Sequence, residues 1–106
     1  MNWIRNLLNQ EKADLHNLNI GDAGVKVIGD NLPINSILKK LDLSRNAITD
    51  RGDEDLSHGL NFNSSLQDLD LSFNHIGEKG SQALGQSLEV NNDLINEIFI
   101  VILFKK

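Results

Sequence analysis

The sequence matches itself when shifted by 28 residues, and that period limits the chain to folds built by stacking similar units. Leu38, Leu41, Leu43, Asn46, Ile48, Gly52, Leu56, Leu60 and Asn63 recur as Leu66, Leu69, Leu71, Asn74, Ile76, Gly80, Leu84, Leu88 and Asn91. A worn copy precedes them: Leu15, Ile20, Gly24, Ile28, Leu32 and Asn35 keep the residue type, while Gln10, Ala13 and Leu18 depart from it. Past Asn91, Leu94 and Phe99 fall in step, but Glu97 stands where a buried leucine is expected. The fourth copy is therefore broken or truncated.

Inside each unit the apolar spacing changes period. Leu41 and Leu43 alternate with Lys40, Asp42 and Ser44, the period-two signature of a strand with one buried face. After Ile48 the spacing becomes four, through Gly52, Leu56 and Leu60, which is one face of a helix. Thr49 or Asp50 is placed to cap that helix, and the following glycine is expected to let the helix and strand layers approach. Each unit is thus a strand, a tight turn, a helix and a return loop at Asn63 or Asn91. Neither element hides its leucines alone, so stacking must pair the strands in parallel and line the helices up outside them. The expected architecture is an α/β solenoid of about three 28-residue repeats, divided as a cap at 1–9, repeats at 10–37, 38–65 and 66–93, and a hydrophobic segment at 94–106.

The two best copies read LKKLDLSRNAITDRGDEDLSHGL and LQDLDLSFNHIGEKGSQALGQSL. Their pattern, LxxLxLxxNxIxxxGxxxLxxxL, resembles the ribonuclease-inhibitor type of leucine-rich repeat, over roughly residues 10–95. That resemblance implies a curved horseshoe with strands on the concave face and helices on the convex face, used mainly to bind proteins. NOD-like receptors, Ran GTPase-activating proteins and tropomodulin-like actin regulators carry such arrays. The resemblance also implies that Asn46 and Asn74 are structural, their amides bonding backbone groups of the turn to form a ladder between repeats. Leu18 holds that position in the worn copy, so the ladder is expected to end there.

With Leu41 and Leu43 inward, Lys40, Asp42 and Ser44 face the concave side, Asp68, Asp70 and Ser72 beside them, and Lys12, Asp14 and His16 beyond. Parallel strands lie about 4.8 Å apart, so Asp14, Asp42 and Asp70 form a column of like charge. Such columns cost stability unless a partner neutralises them, although aspartate is also a common solvated filler in this part of the repeat. Arg45 and Phe73 sit at the rim and are residue types favoured as interface anchors. The candidate partner-binding residues are Asp14, Lys40, Asp42, Arg45, Asp68, Asp70 and Phe73.

Other functions are disfavoured. A net charge of −5 with scattered Lys and Arg offers no stripe for phosphates, which argues against nucleic acid. The absence of cysteine excludes disulfides and thiolate zinc sites and fits a reducing, cytoplasmic compartment. Met1–Gln10 lacks the apolar core of a signal peptide. Arg51-Gly52-Asp53 spells an adhesion tripeptide and Asn63-Ser64-Ser65 a glycosylation sequon, but both matter only outside the cell, and the repeat already explains Gly52. Gly21–Asp30 lacks the Gly-Lys-Ser/Thr of a phosphate loop, and His16, His58 and His75 occupy three different repeat positions, so neither a cofactor nor a metal is expected. A short solenoid has no deep cleft for catalysis, and the chain is not expected to be an enzyme.

The ends carry separate expectations. Trp3, Ile4, Leu7 and Leu8 have helical spacing and are placed to cover the first repeat. Ile98–Phe104 is seven apolar residues, too short for the roughly 20 that cross a bilayer. It is expected to be a buried last strand, or else to stay unstructured or drive self-association. Function is accordingly expected to be binding of another protein. The alternatives are a fragment of a GTPase-activating or innate-immune regulatory protein, and a truncated product without a role of its own.

Overall fold

The computed structural model describes residues 1–90, with the side chains of all but Leu88 and Val90, and the backbone of Phe99–Val101. Elements alternate as the repeat requires: helix α1 (Asn2–Leu7), β1 (Lys12–Asp14), α2 (Gly21–Asn31), a 3-10 turn (Leu32–Ile34), β2 (Lys40–Asp42), α3 (Asp50–Leu60), β3 (Asp68–Asp70), α4 (Glu78–Val90) and β4 (Phe99–Val101). The strands form one sheet in sequence order, every neighbour parallel. Ala13, Leu41 and Leu69 are register partners, one repeat apart. The expected α/β repeat segment is the observed fold.

The core is the layer between sheet and helices. Leu15, Leu43 and Leu71 from the strand side meet Ile28, Leu56 and Leu84 from the helices, each at most 3% exposed. Gln10 and Ala13 open the worn repeat, and Ile4 of α1 and Leu8 just after it cover that end, both fully buried. Trp3 is turned away and stays 47% exposed, so the cap uses one helical face narrower than its apolar spacing predicts.

Two expectations about the helices are corrected. Neither Thr49 nor Asp50 caps the helix it begins. Instead the Asp22 carboxylate, one repeat earlier, accepts from the Thr49 backbone N–H at 2.8 Å and its hydroxyl at 2.6 Å. Asp50 does the same for the Gly77 N–H at 2.6 Å. A carboxylate at a helix start thus satisfies donors of the neighbouring repeat, which ties helix to helix as well as relieving free N–H groups. The repeated glycine serves the same packing: a Cβ on Gly52 would meet the Asp22 Cα at 3.1 Å, so the close neighbour is the preceding helix, not the strand layer.

Further along, the helices touch through small residues. A Cβ on Gly59 would overlap the Gly29 carbonyl oxygen at 2.2 Å. One repeat on, the equivalent pair is Ser57 and Ser87, whose hydroxyl donates to the Ser57 carbonyl at 2.7 Å.

At the C-terminal side β4 pairs with β3 with Phe99 opposite Asp68 and Ile100 opposite Leu69. Continuing the 28-residue spacing would set Glu97 opposite Leu69. The pairing slides by three residues, which avoids placing an unpaired carboxylate in the register of the buried leucines. The rest of the apolar run, Ile98 and 102–104, and the self-association expected of it, lie outside the described residues. No helix among the described residues is long and apolar enough to cross a membrane.

Candidate partner-binding face

The strands are only three residues long, and their burial alternates: Leu41 is 2% exposed, Lys40 is exposed and Asp42 is half-buried. Parallel register then builds two charge columns across the open face of the sheet. One is Lys12, Lys40 and Asp68; the other is Asp14, Asp42 and Asp70. They line a shallow concavity of about 320 Å³. Of the expected strand-face residues, Lys12, Asp14, Lys40, Asp42, Asp68 and Asp70 line it, and His16, Ser44 and Ser72 do not.

Within the acidic column the carboxylates are held in one orientation. Asp42 Oδ1 accepts from the Ser44 N–H at 2.9 Å and hydroxyl at 2.7 Å, and Asp70 Oδ1 accepts from Ser72 at 2.9 and 2.6 Å. Ser72 is consequently 5% exposed, a supporting residue and not part of the open face. In the first repeat His16 takes the place of serine: its N–H and its Nδ1 lie 3.2 and 2.5 Å from Asp14 Oδ1. That hydrogen bond holds the Asp14 carboxyl below its usual range and raises the His16 imidazole above its own.

The rim is made by the turn after each strand. Asn17, Arg45 and Phe73, spaced by 28, all have positive φ, at 51°, 58° and 58°. Asparagine tolerates this region, whereas arginine and phenylalanine enter it at a cost of about 1–3 kcal/mol that the surrounding turn must impose. The Arg45 guanidinium carbon sits 4.1 Å from the centre of the Phe73 ring, a cation–π contact. Phe73 is half-buried. The pair forms one planar feature beside the acidic column.

Beneath the rim runs the asparagine ladder. The Asn74 amide donates to the carbonyls of Leu43 and Leu71 at 2.9 and 3.1 Å, and its Oδ1 accepts from Asn46 and Ile48 N–H at 2.9 and 3.0 Å. Asn46 repeats the arrangement toward Leu15, Leu18 and Ile20. Leu18 contributes only its backbone, so the ladder ends there.

A second ladder on the return loops went unread. Asn63 Oδ1 accepts from Ser65 and Leu66 N–H at 3.1 and 2.8 Å, and its amide donates to Leu32 and Asn35 carbonyls at 2.9 Å. Asn35 does likewise with Ile37, Leu38 and Leu8. The recurrence of Asn35, Asn63 and Asn91 was the signal. This role also settles the sequon, because the Asn63 amide is 1% exposed and committed to the backbone. The adhesion tripeptide is closed off in the same way: Asp53 is fully buried within α3.

The Asp53 carboxylate is the other feature sequence reading missed. Both its oxygens are buried without a hydrogen-bond partner. Desolvation, then the charges of Asp50 and Glu54, push its pKa up to about 7. Val25 occupies the equivalent position one repeat earlier and is also fully buried.

A family model for the Leucine Rich repeat matches residues 35–57 and 62–85. Among solved structures, the chain is similar to "Leiomodin-1 Actin-Binding Site 2 (ABS2)", with a TM-score of 0.75 and 15% identity, over 99% of this chain and 78% of that one. At that identity the likeness is one of fold. No curated protein matches the sequence.

Proposed function

The chain is a leucine-rich-repeat protein, and we propose that it acts by binding another protein on its concave strand face, where the Asp14, Asp42 and Asp70 column receives a basic segment of that partner. Such repeats generally serve as protein-interaction modules, and this reading assigns the chain binding without catalysis. The observation that carries it is the in-register stacking of three carboxylates on an open, shallow sheet face. Like charges about 4.8 Å apart across neighbouring strands are costly when left alone, and a cationic partner removes that cost on binding. Lys40 and Asp68 beside the column set the register of the partner's charges. Arg45 and Phe73 supply an edge on which a flat or apolar group can rest. A negative face meeting a positive partner gives fast, salt-sensitive association and excludes nucleic acid by repulsion.

Site-specific crosslinking tests the choice of face. A photoreactive residue in place of Lys40 on the concave side is expected to trap a partner, and one in place of His58 on the convex side is not. Trapping from the His58 position alone would overturn the assignment.

A further inference from the structure

The repeat that departs most from the others places an imidazole where they carry serine. In all three units the strand aspartate accepts from the residue two positions on, which is His16, Ser44 or Ser72. Asp14 and Asp42 are register partners on adjacent strands. One ligand atom from each of Asp14, His16 and Asp42 lies within 4.8 Å of the others. Among the described residues no other group of His, Asp or Glu converges in this way.

We propose that Asp14, His16 and Asp42 form a site for a divalent transition-metal ion of the zinc type, bridging the first two strands. Two ligands on one such ion, at about 2.0–2.2 Å each, stand at most about 4.4 Å apart. In a tetrahedral site the ligand atoms stand about 3.3–3.6 Å apart, so closing from 4.8 Å takes about an ångström of side-chain movement. Asp14 and His16 are exposed and Asp42 is half-buried, so that adjustment meets little packing. Both Ser44 hydrogen bonds to Asp42 fall on Oδ1, which leaves Oδ2 available to an ion. One imidazole and two carboxylates suit zinc, cobalt or nickel and give little reason to prefer calcium, which takes six or more oxygens. Water fills the remaining positions. The ion also cancels the like-charge contact between Asp14 and Asp42, and by bridging β1 to β2 it favours the folded state. Lys12 and Lys40 line the same face and oppose a cation there. The site does not depend on partner binding, and the pair Asp42 and Asp70, which has serines in place of the imidazole, is its internal control.

The test is calorimetric titration of zinc chloride into the full chain, with His16→Ser and Asp14→Asn beside the parent. His16→Ser copies the residue type of the other two repeats, and circular dichroism confirms that both variants fold. The parent is expected to bind one zinc ion saturably, with each variant at least tenfold weaker, and zinc is expected to shift the imidazole resonances of His16 and leave those of His58 and His75 in place. No saturable binding by the parent, or equal binding by His16→Ser, overturns the site.

Discussion

The backbone N–H of Asn46 donates to the side-chain oxygen of Asn74, 28 residues further on, at 2.9 Å. The same oxygen receives the Ile48 N–H, and the Asn74 amide returns bonds to three carbonyls, those of Leu43, Leu71 and Ser72. One buried side chain therefore bonds five backbone groups of two repeats.

Replacing Asn74 with Ala takes the Asn74 partner from the Asn46 and Ile48 N–H groups and the Leu71 carbonyl, while the Leu43 carbonyl keeps its bond from the Asn46 amide. Each such loss costs about 1–3 kcal/mol, partly relieved by relaxation and water. Asn74→Ala is expected to destabilise the chain by about 3 kcal/mol in urea unfolding, with unchanged helical content before the transition. A loss under about 1 kcal/mol would mean the ladder is decorative.

The helix layer predicts opposite signs for two glycines. Alanine is the better helix former by about 1 kcal/mol, but at Gly59 its Cβ would overlap the Gly29 carbonyl oxygen at 2.2 Å. Nothing lies within 4 Å of a Cβ at Gly85. Gly59→Ala should lower stability by about 1–3 kcal/mol, and Gly85→Ala should raise it by roughly 0.5–1 kcal/mol. Thermal melts of the two variants read the difference directly.

Asp53 makes stability fall as pH rises. Burial pushes its carboxyl up to about 7 in the folded chain, well above the usual carboxylate range, so the folded chain holds this proton more tightly than the unfolded one. The penalty is absent below about pH 4, grows between pH 4 and 7, and is constant above. At its plateau the shift corresponds to about 4 kcal/mol. Asp50 and Glu54 face the group from its own helix, and Lys79 of α4 pairs with Glu54 at 4.0 Å. Asp53→Val, which restores the residue type of Val25, should remove this slope and stabilise the chain most at pH 8. Unfolding curves at pH 4.5 and 8 check it; an equal effect at both values would contradict the buried ionisation.

Much of this fold was readable because a repeat presents the same physical problem several times. Leu41 and Leu69 marked the strands, Leu56 and Leu84 the helices, and Asn46 and Asn74 the turn. The concave charges followed from strand alternation alone. What escaped depends on contacts between neighbouring units. Asp50 looked like a cap for its own helix, yet it and Asp22 each serve the next repeat. Asn35 and Asn63 were visible as a period, but their partners are carbonyls whose direction a sequence does not encode. Asp53 falls where Val25 would predict an apolar residue, and its charge disguised its burial. At β4 the period itself misled, because a three-residue slide replaced Glu97 with Ile100 opposite Leu69.

The central claim is that the acidic column is the docking surface, and charge reversal tests it most directly. Capture of a partner by the parent chain should weaken as salt rises, since exposed pairs are screened beyond about 10 Å at 0.1 M. The double variant Asp42→Lys, Asp70→Lys, shown by circular dichroism to be folded, should lose that partner. Retention of the same partner by the folded variant, at either salt concentration, would contradict the account.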